Sequence, residues 1–308
     1  MKKLLSLTMA VIFGLFLVSC ESSTDPKEDP INEFDVLVSY LEAGDAEYEQ
    51  WVNELDTWIF ANVGDSTATY AGYYLLDFRS ETDYNTMHIP GAVRTTLSTM
   101  FDDAANSGGL PILCVCYSGQ TASFAHMLLR MKGYEAYVMK FGMSSYHPSL
   151  DKWTVKCTND YANDAKWVNS ASPSLPANEY PTLNTGMTTA EEILDARIDA
   201  AIAAWPTLTT GSDAVTNNTS YNIINYWGET DYLGYGHIEE SYQVSPLTLT
   251  QAENLSVFDP AGSNIIYCWT GQTAAATCAY LTVLGYDVKS IAYGVNSMIW
   301  DELTGHKW

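Results

Sequence analysis

The heptapeptide CYSGQTA (116–122) returns as CWTGQTA (268–274), and each copy sits inside a much longer repeat. ETDYNTMHIPGA (81–92) precedes the first copy and GYEAYVMKFG (133–142) follows it, while ETDYLGYGHIEE (229–240) and GYDVKSIAYG (285–294) flank the second. Order and spacing agree to within about a residue except between the histidine and the cysteine. This is domain duplication, so whatever one half folds into, the other must fold into as well.

Each half carries the same succession of patterns. A short apolar run, PILCV (111–115) or NIIY (264–267), ends just before the cysteine loop and reads as a buried strand. TASFAHMLLRMK (121–132) or TAAATCAYLTVL (273–284) follows as a helix, with Gly133 or Gly285 as its C-cap. Further strand-like runs lie upstream, YYLLDF (73–78) and YNIINY (221–226), and another follows each helix. Strands alternating with helices predict an α/β fold whose mainly parallel sheets carry helices on both faces. A helix precedes each unit. The clearer one is expected from Thr188, with Glu191 completing a capping box and Ile193, Leu194, Ile198, Ile202 and Trp205 on one face.

The organisation expected is a signal peptide over 1–19, a tether over 20–30, one domain over 31–160, a Ser/Pro/Asn-rich linker over 161–183 and a second domain over 184–308. Lys2 and Lys3 followed by an apolar run from Leu4 to Val18 read as an export signal, too short to span a bilayer. LVSC (17–20) resembles a bacterial lipobox, which implies cleavage before Cys20 and lipidation of that residue. The chain is then expected outside the cytoplasm, anchored by lipid on the periplasmic side. Glu21, where Asp would signal inner-membrane retention, favours the outer membrane.

Charge excludes other partners. The formal net charge is −23, and the four arginines are Arg79, Arg94, Arg130 and Arg197. After Arg197 the cations are Lys289 and Lys307 alone. Such a chain does not bind nucleic acid by electrostatics. No Cys or His spacing suggests a metal site, and no cofactor is called for.

A cysteine at the carboxyl end of a buried parallel strand, followed by a glycine turn and a helix start, sits where α/β sheets place their ligands. Loop N–H groups and the helix N-terminus converge there, so the thiolate is expected to be stabilised and the pKa lowered. Gly119 and Gly271 permit the turn, and the hydroxyls of Thr121 and Thr273 can donate into the cradle. Cys114 and Cys278 read as core residues, Cys157 has no assignable role, and His88 and His237 read as hydrogen-bonded structural groups.

LLDFRSETDYNTMHIPGAV (75–93) and the six-residue loop CYSGQT resemble the rhodanese family, and the resemblance extends over both repeats. It implies two tandem rhodanese-like domains, each a mainly parallel five-stranded sheet. It also implies a sulfurtransferase that takes sulfane sulfur from a small donor as a cysteine persulfide and passes it to a thiol or other nucleophilic acceptor. Carried over, Cys116 and Cys268 are the sulfur carriers. Tyr117, Ser118, Gly119, Gln120, Thr121 and Ala122, and Trp269, Thr270, Gly271, Gln272, Thr273 and Ala274, form the two cradles.

Asp77 and Arg79 match the family's D-x-R, and either contact substrate or pair to hold the loop edge. The second half has Asn225 and Trp227 there, so an anionic donor at Cys268 is expected to find almost no cationic side chain, which favours Cys116. The aromatic after each cysteine matches neither the basic residue of thiosulfate users nor the small one of mercaptopyruvate users. A non-catalytic binding or scaffold lipoprotein is the alternative. Phosphatase chemistry is disfavoured, because the related phosphatase loop is one residue longer and ends in Arg, where this chain has Ala122 or Ala274.

Overall fold

Strands β2 (Tyr74–Asp77) and β4 (Ile112–Val115) pair in parallel in the first half, as β8 (Asn222–Asn225) and β11 (Asn264–Tyr267) do in the second. The computed structural model describes residues 31–43, 59–60, 70–245 and 247–308. The remaining strands of the first sheet are β1 (Ile59–Phe60), β3 (Val93–Arg94) and β5 (Ala136–Met139), giving the order β1-β5-β4-β2-β3. The second sheet adds β7 (Leu208–Thr209), β10 (Tyr242–Gln243) and β12 (Val288–Ile291), in the order β10-β8-β11-β12-β7. Read from the opposite edge, this is the first order again. All these pairings are parallel, and among the described residues each sheet has five strands.

Among the described residues the α-helices are α1 (Glu33–Ala43), α2 (Glu81–Thr86), α3 (Met100–Ala104), α4 (Gln120–Met131), α5 (Met143–Tyr146), α6 (Ala190–Ala204), α7 (Gly211–Thr216), α8 (Glu229–Tyr235) and α9 (Gln272–Val283). Both ETDY segments open helices, α2 and α8. Helix α6 is capped by Thr189, whose hydroxyl accepts from Glu192 N, one residue beyond the expected Thr188–Glu191 box. Two consecutive threonines face two consecutive glutamates, so the sequence fits either register. The later one buries Ile193, Leu194 and Ile198. Gly133 and Gly285 lie one position past the caps Lys132 and Leu284, with φ of 81° and 102°.

Alternation along the strands separates three clusters. Leu76, Ile112 and Cys114 of the first sheet share one core with Ile224 and Ile266 of the second, through α4, α9, α1 and α6. Leu75, Leu113 and Val115 face a separate cluster on the outer side of the first sheet, and Ile223, Ile265 and Tyr267 do so on the second. Every residue of α9 is buried, and its alanines allow close approach to α4, against which it packs. A helix buried all round needs no polar face, which is why its sequence lacks one. The described residues from 32 to 308 accordingly form one compact unit.

The segment expected to be a linker packs along this unit. β6 (Trp167–Val168) pairs antiparallel with β9 (His237–Ile238), Tyr180 stacks on Phe34 at 5.0 Å, and Glu33 accepts the N–H groups of Thr185 and Gly186. Among the described residues no helix is long and apolar enough to cross a membrane. Cys20 and the expected signal and tether lie outside the described residues.

Candidate active site

Cys116 and Cys268 each follow the central strand of their sheet, at its carboxyl end. The turn after each cysteine needs a left-handed residue, and Gly119 (φ 88°) and Gly271 (φ 71°) supply it before α4 and α9 begin. Loop N–H groups are thereby aimed at the sulfur. Cys116 Sγ accepts from Gly119 N at 3.1 Å and Ala122 N at 3.4 Å, and Cys268 Sγ accepts from Ala274 N at 3.4 Å.

Each loop is pinned from behind. Cys116 O accepts from Met143 N and Tyr117 O from Ser144 N, while Cys268 O accepts from Val295 N and Trp269 O from Asn296 N. Backbone passes so near that a Cβ on Gly142 would stand 2.2 Å from Cys116 O, and one on Gly294 2.4 Å from Cys268 O.

The thiol of Cys116 departs from the sequence expectation. Burial pushes its pKa up, and the amides of Ala122, Ser118, Gly119 and Thr121 pull it back only in part. The residue is only 4% exposed, so desolvation of the anion outweighs the cradle. Cys114 is wholly buried and pushed well up, and so is Cys278, as core thiols should be. Half-buried Cys157 is raised to about 11. None of the five described cysteines forms a disulfide.

The family model described as "Rhodanese-like domain" matches residues 60–149, which contain the first sheet's strands from β2 onward, α2 and the Cys116 loop. Residues 60–149 are thus similar to rhodanese-like domains. Solved structures similar to the chain include a rhodanese homolog from the extremely thermophilic bacterium Thermus thermophilus, at 23% identity over 25% of this chain and 86% of that one, with TM-score 0.21. The thiosulfate sulfurtransferase of Pseudomonas aeruginosa is 14% identical over 84% of this chain and 46% of that one, with TM-score 0.30. The 3-mercaptopyruvate sulfurtransferase of Leishmania major is 15% identical over 74% and 70%, with TM-score 0.27. The chain thus spans less than half of the Pseudomonas protein. No curated protein sequence matches it.

Around the rhodanese-like loop, Asp77 and Arg79 form a buried ion pair, Nη2 to Oδ2 at 2.6 Å, and the same guanidinium donates to Met87 O at 2.7 Å. Two cations approach the Tyr117 ring, Arg79 Cζ at 5.2 Å and Lys152 Nζ at 5.1 Å from its centroid, and its hydroxyl donates to Asp83 at 2.8 Å. The second half rebuilds this stack without ions. Trp227, in place of Arg79, stacks on Trp269 at 4.1 Å, and His306 stacks on Trp269 at 5.2 Å. Divergence at 79 and divergence at 117 are therefore one change, a cation–π stack on one side and an aromatic stack on the other.

The paired histidines hold the frame. His88 stacks on Tyr84 at 4.0 Å, and His237 stacks on Tyr232 at 3.5 Å. Each Nδ1 meets the carbonyl of the same tyrosine, whose hydroxyl donates to Ala92 O or Ser241 O.

Gln120 and Gln272 reach across to the other half with their carboxamide oxygens, while Gln272 Nε2 donates to Thr270 Oγ1 of its own cradle at 3.0 Å. Gln120 Oε1 accepts from Tyr293 N at 3.0 Å, and Gln272 Oε1 accepts from Phe141 N at 2.8 Å, so each loop grips the other half. This exchange brings the two cysteine loops together. A cavity of about 160 Å³ beside Cys268 is lined by Trp269, Thr270, Gln272, Thr273 and His306, and also by Lys140 of the first half. The Cys268 loop has a cationic neighbour after all. Sequence reasoning missed it because Lys140 is remote in the chain, yet a signal existed: MKFG has Lys140 where IAYG has Ala292. Among the described residues no group of three or more His, Cys, Asp or Glu is placed to hold a metal ion.

Proposed function

We propose that this chain is an extracytoplasmic, lipid-anchored sulfurtransferase in which Cys116 and Cys268 each carry sulfane sulfur as a persulfide. The observation that carries the reading is the cysteine at the end of the central strand with loop amides aimed at its sulfur, built twice in sheets of one topology. The rhodanese-like match over 60–149 supports the same chemistry. The second half, 184–308, is read as a second rhodanese-like domain.

The thiolate attacks the transferable sulfur of a donor, and the bond holding that sulfur (S–S in thiosulfate or a polysulfide, C–S in mercaptopyruvate) breaks with its electron pair leaving on the remaining fragment. An acceptor thiolate then attacks the persulfide's terminal sulfur and expels the cysteine thiolate, so no net oxidant is needed. Loop amides hold the negative charge on sulfur at both stages. Cys20, as the lipidated residue, would tether this activity to a membrane, with the outer membrane favoured by Glu21.

The test is intact-mass and peptide mass spectrometry of the mature chain after incubation with thiosulfate, mercaptopyruvate and a polysulfide. One added sulfur at Cys116 or Cys268, removable by cyanide and lost in Cys116→Ser or Cys268→Ser, is the expected result. No adduct from any donor, with both thiols still alkylatable in the unfolded chain, sinks the reading. A non-catalytic scaffold is the second reading, favoured by the burial of both cysteines, 4% and 3% exposed. That same null result would establish it.

A further inference from the structure

We infer that Lys140, on the first half, is the anion-recognising residue of the Cys268 site, so that this site is assembled from both halves and takes a sulfur donor carrying negative charge beside its transferable sulfur. The inference rests on the sulfur-transfer reading for its chemistry, and on the cavity for its geometry.

Three observations converge. Lys140 lines the cavity beside Cys268 together with Trp269, Gln272 and His306, although it belongs to the other sheet's half. Its position there is built. Phe141, the next residue, has φ 63°, a conformation rare outside glycine, and its N–H is taken by Gln272 Oε1 at 2.8 Å. Phe141 is further held edge-on against Trp153 at 5.0 Å and Trp308 at 5.3 Å. The peptide that presents Lys140 is thus fixed by a residue of the Cys268 loop itself, and strain of this kind persists only where the surroundings impose it.

The third observation is the asymmetry. Tyr293 repeats this turn with φ 62° and its N–H on Gln120, but the residue before it is Ala292. The same exchange therefore places a lysine side chain at the Cys268 cavity, its ammonium 5.4 Å from the Phe141 ring centroid, whereas the equivalent turn of the second half carries alanine. The half that lost Asp77 and Arg79 from its own sequence, as Asn225 and Trp227, receives its cation from the other half.

With thiosulfate as donor, Cys268 thiolate bonds to the outer sulfur, the S–S bond breaks, and sulfite leaves with the electron pair. Charge is conserved, and the negative charge moves onto the departing sulfite. An ammonium group in that cavity attracts the donor and stabilises the leaving anion. A donor without charge gains nothing from it.

The experiment compares the alkylation rates of an anionic and a neutral reagent, iodoacetate and iodoacetamide, at the Cys268 and Cys116 peptides of the same sample. In Lys140→Met, which keeps the stem and removes the charge, the iodoacetate-to-iodoacetamide rate ratio at Cys268 should fall about 10-fold, the lower end of electrostatic focusing in a cleft. The ratio at Cys116 should stay within about 2-fold, and Lys140→Arg should restore Cys268, since distant exposed charges are screened. A disturbed fold changes both reagents alike and leaves the ratio unmoved. An unmoved ratio at Cys268, or an equal fall at Cys116, overturns the proposal. Adduct formation from thiosulfate, which leaves a persulfide and releases sulfite, and from neutral dimethyl trisulfide, which leaves a methyl trisulfide and releases methanethiolate, should separate in the same way. If no donor loads either cysteine while the ratio still falls at Cys268 alone, sulfur transfer is refuted and the anion site stands.

Discussion

The carboxamide oxygen of Gln120 accepts the backbone N–H of Tyr293 at 3.0 Å, and Gln272 does the same for Phe141 at 2.8 Å. Both glutamines are almost completely buried, at 3% and 1% exposure. Reciprocal contacts of this kind characterise two-fold interfaces, here formed within one chain. Removing either carboxamide leaves an amide without its acceptor. Gln120→Ala and Gln272→Ala are each expected to cost ~1–3 kcal/mol, the usual range for an orphaned buried donor. Urea unfolding followed by tryptophan fluorescence measures it, and a loss under ~0.5 kcal/mol would show that water replaces the carboxamide.

Gly119 answers to this contact as well as to its own turn. Its φ is 88°, and a Cβ there would stand 2.1 Å from Gln272 Oε1. Gly133 has a similar φ of 81° with nothing within 4 Å of its Cβ. Gly133→Ala should therefore cost only the ~1–2 kcal/mol of the left-handed conformation. Gly119→Ala should cost a further ~1–3 kcal/mol of overpacking. Adding Gln272→Ala should return part of that excess, and strict additivity of the two substitutions would refute the clash.

Much of this architecture was legible in the sequence, because duplication doubled each signal. The apolar runs at 112–115 and 264–267 became the central strands, and the small, apolar stretches after each loop became α4 and α9. The two-residue edge strands such as Val93–Arg94 were invisible, since two residues carry no periodicity. The cradle was legible through its glycine and its cysteine. The crossing of Gln120 and Gln272 and the arrival of Lys140 at Cys268 were not, because they depend on how the two halves pack, a relation that neither repeat encodes alone. The thiol's pKa was misread for a related reason: loop amides are local and foreseeable, whereas the burial that outweighs them is a tertiary result.

The stack at Tyr117 and its counterpart at Trp269 make Asp77 and Arg79 testable as a unit. Asp77→Asn alone leaves a guanidinium buried with half its partner gone, and should cost ~3–5 kcal/mol. The double substitution Asp77→Asn with Arg79→Trp copies the second half, where Trp227 stacks on Trp269 at 4.1 Å. Replacing a buried ion pair by well-packed apolar groups is often neutral, so the double variant should be more stable than Asp77→Asn alone. Thermal unfolding of the three chains decides it. An equal or lower melting temperature for the double variant would show that the two stacks are not interchangeable.

Cys116 is expected to behave as a hindered, weakly acidic thiol. Burial raises its pKa despite four loop amides, so its thiolate fraction near neutral pH lies below that of an ordinary cysteine. Its rate of alkylation by iodoacetamide should still be climbing at about pH 9, above the ordinary thiol value, with no plateau near neutrality. A plateau near neutral pH would mean that the loop opens in solution and that the helix terminus dominates.

His126 gives the fold a pH dependence of its own. The ring is fully buried in α4 with Nδ1 2.6 Å from Ser123 O, and burial, aided by nearby Arg130, depresses its pKa to about 3. Its proton is therefore bound by the unfolded chain below pH 6.5 and refused by the folded one until about 3. Stability contributed by the neutral ring is complete above the unfolded value and is lost as pH falls. Between about pH 7.5 and pH 5 the loss should be about 2 kcal/mol. His237, also depressed by burial, acts in the same direction, so the informative quantity is a difference between chains. His126→Gln, which keeps a polar group near Ser123 O, should unfold with ~2 kcal/mol less acid sensitivity across that interval. Urea unfolding of both chains at the two ends of the interval measures this, and parallel losses would show that the folded state protonates His126 after all.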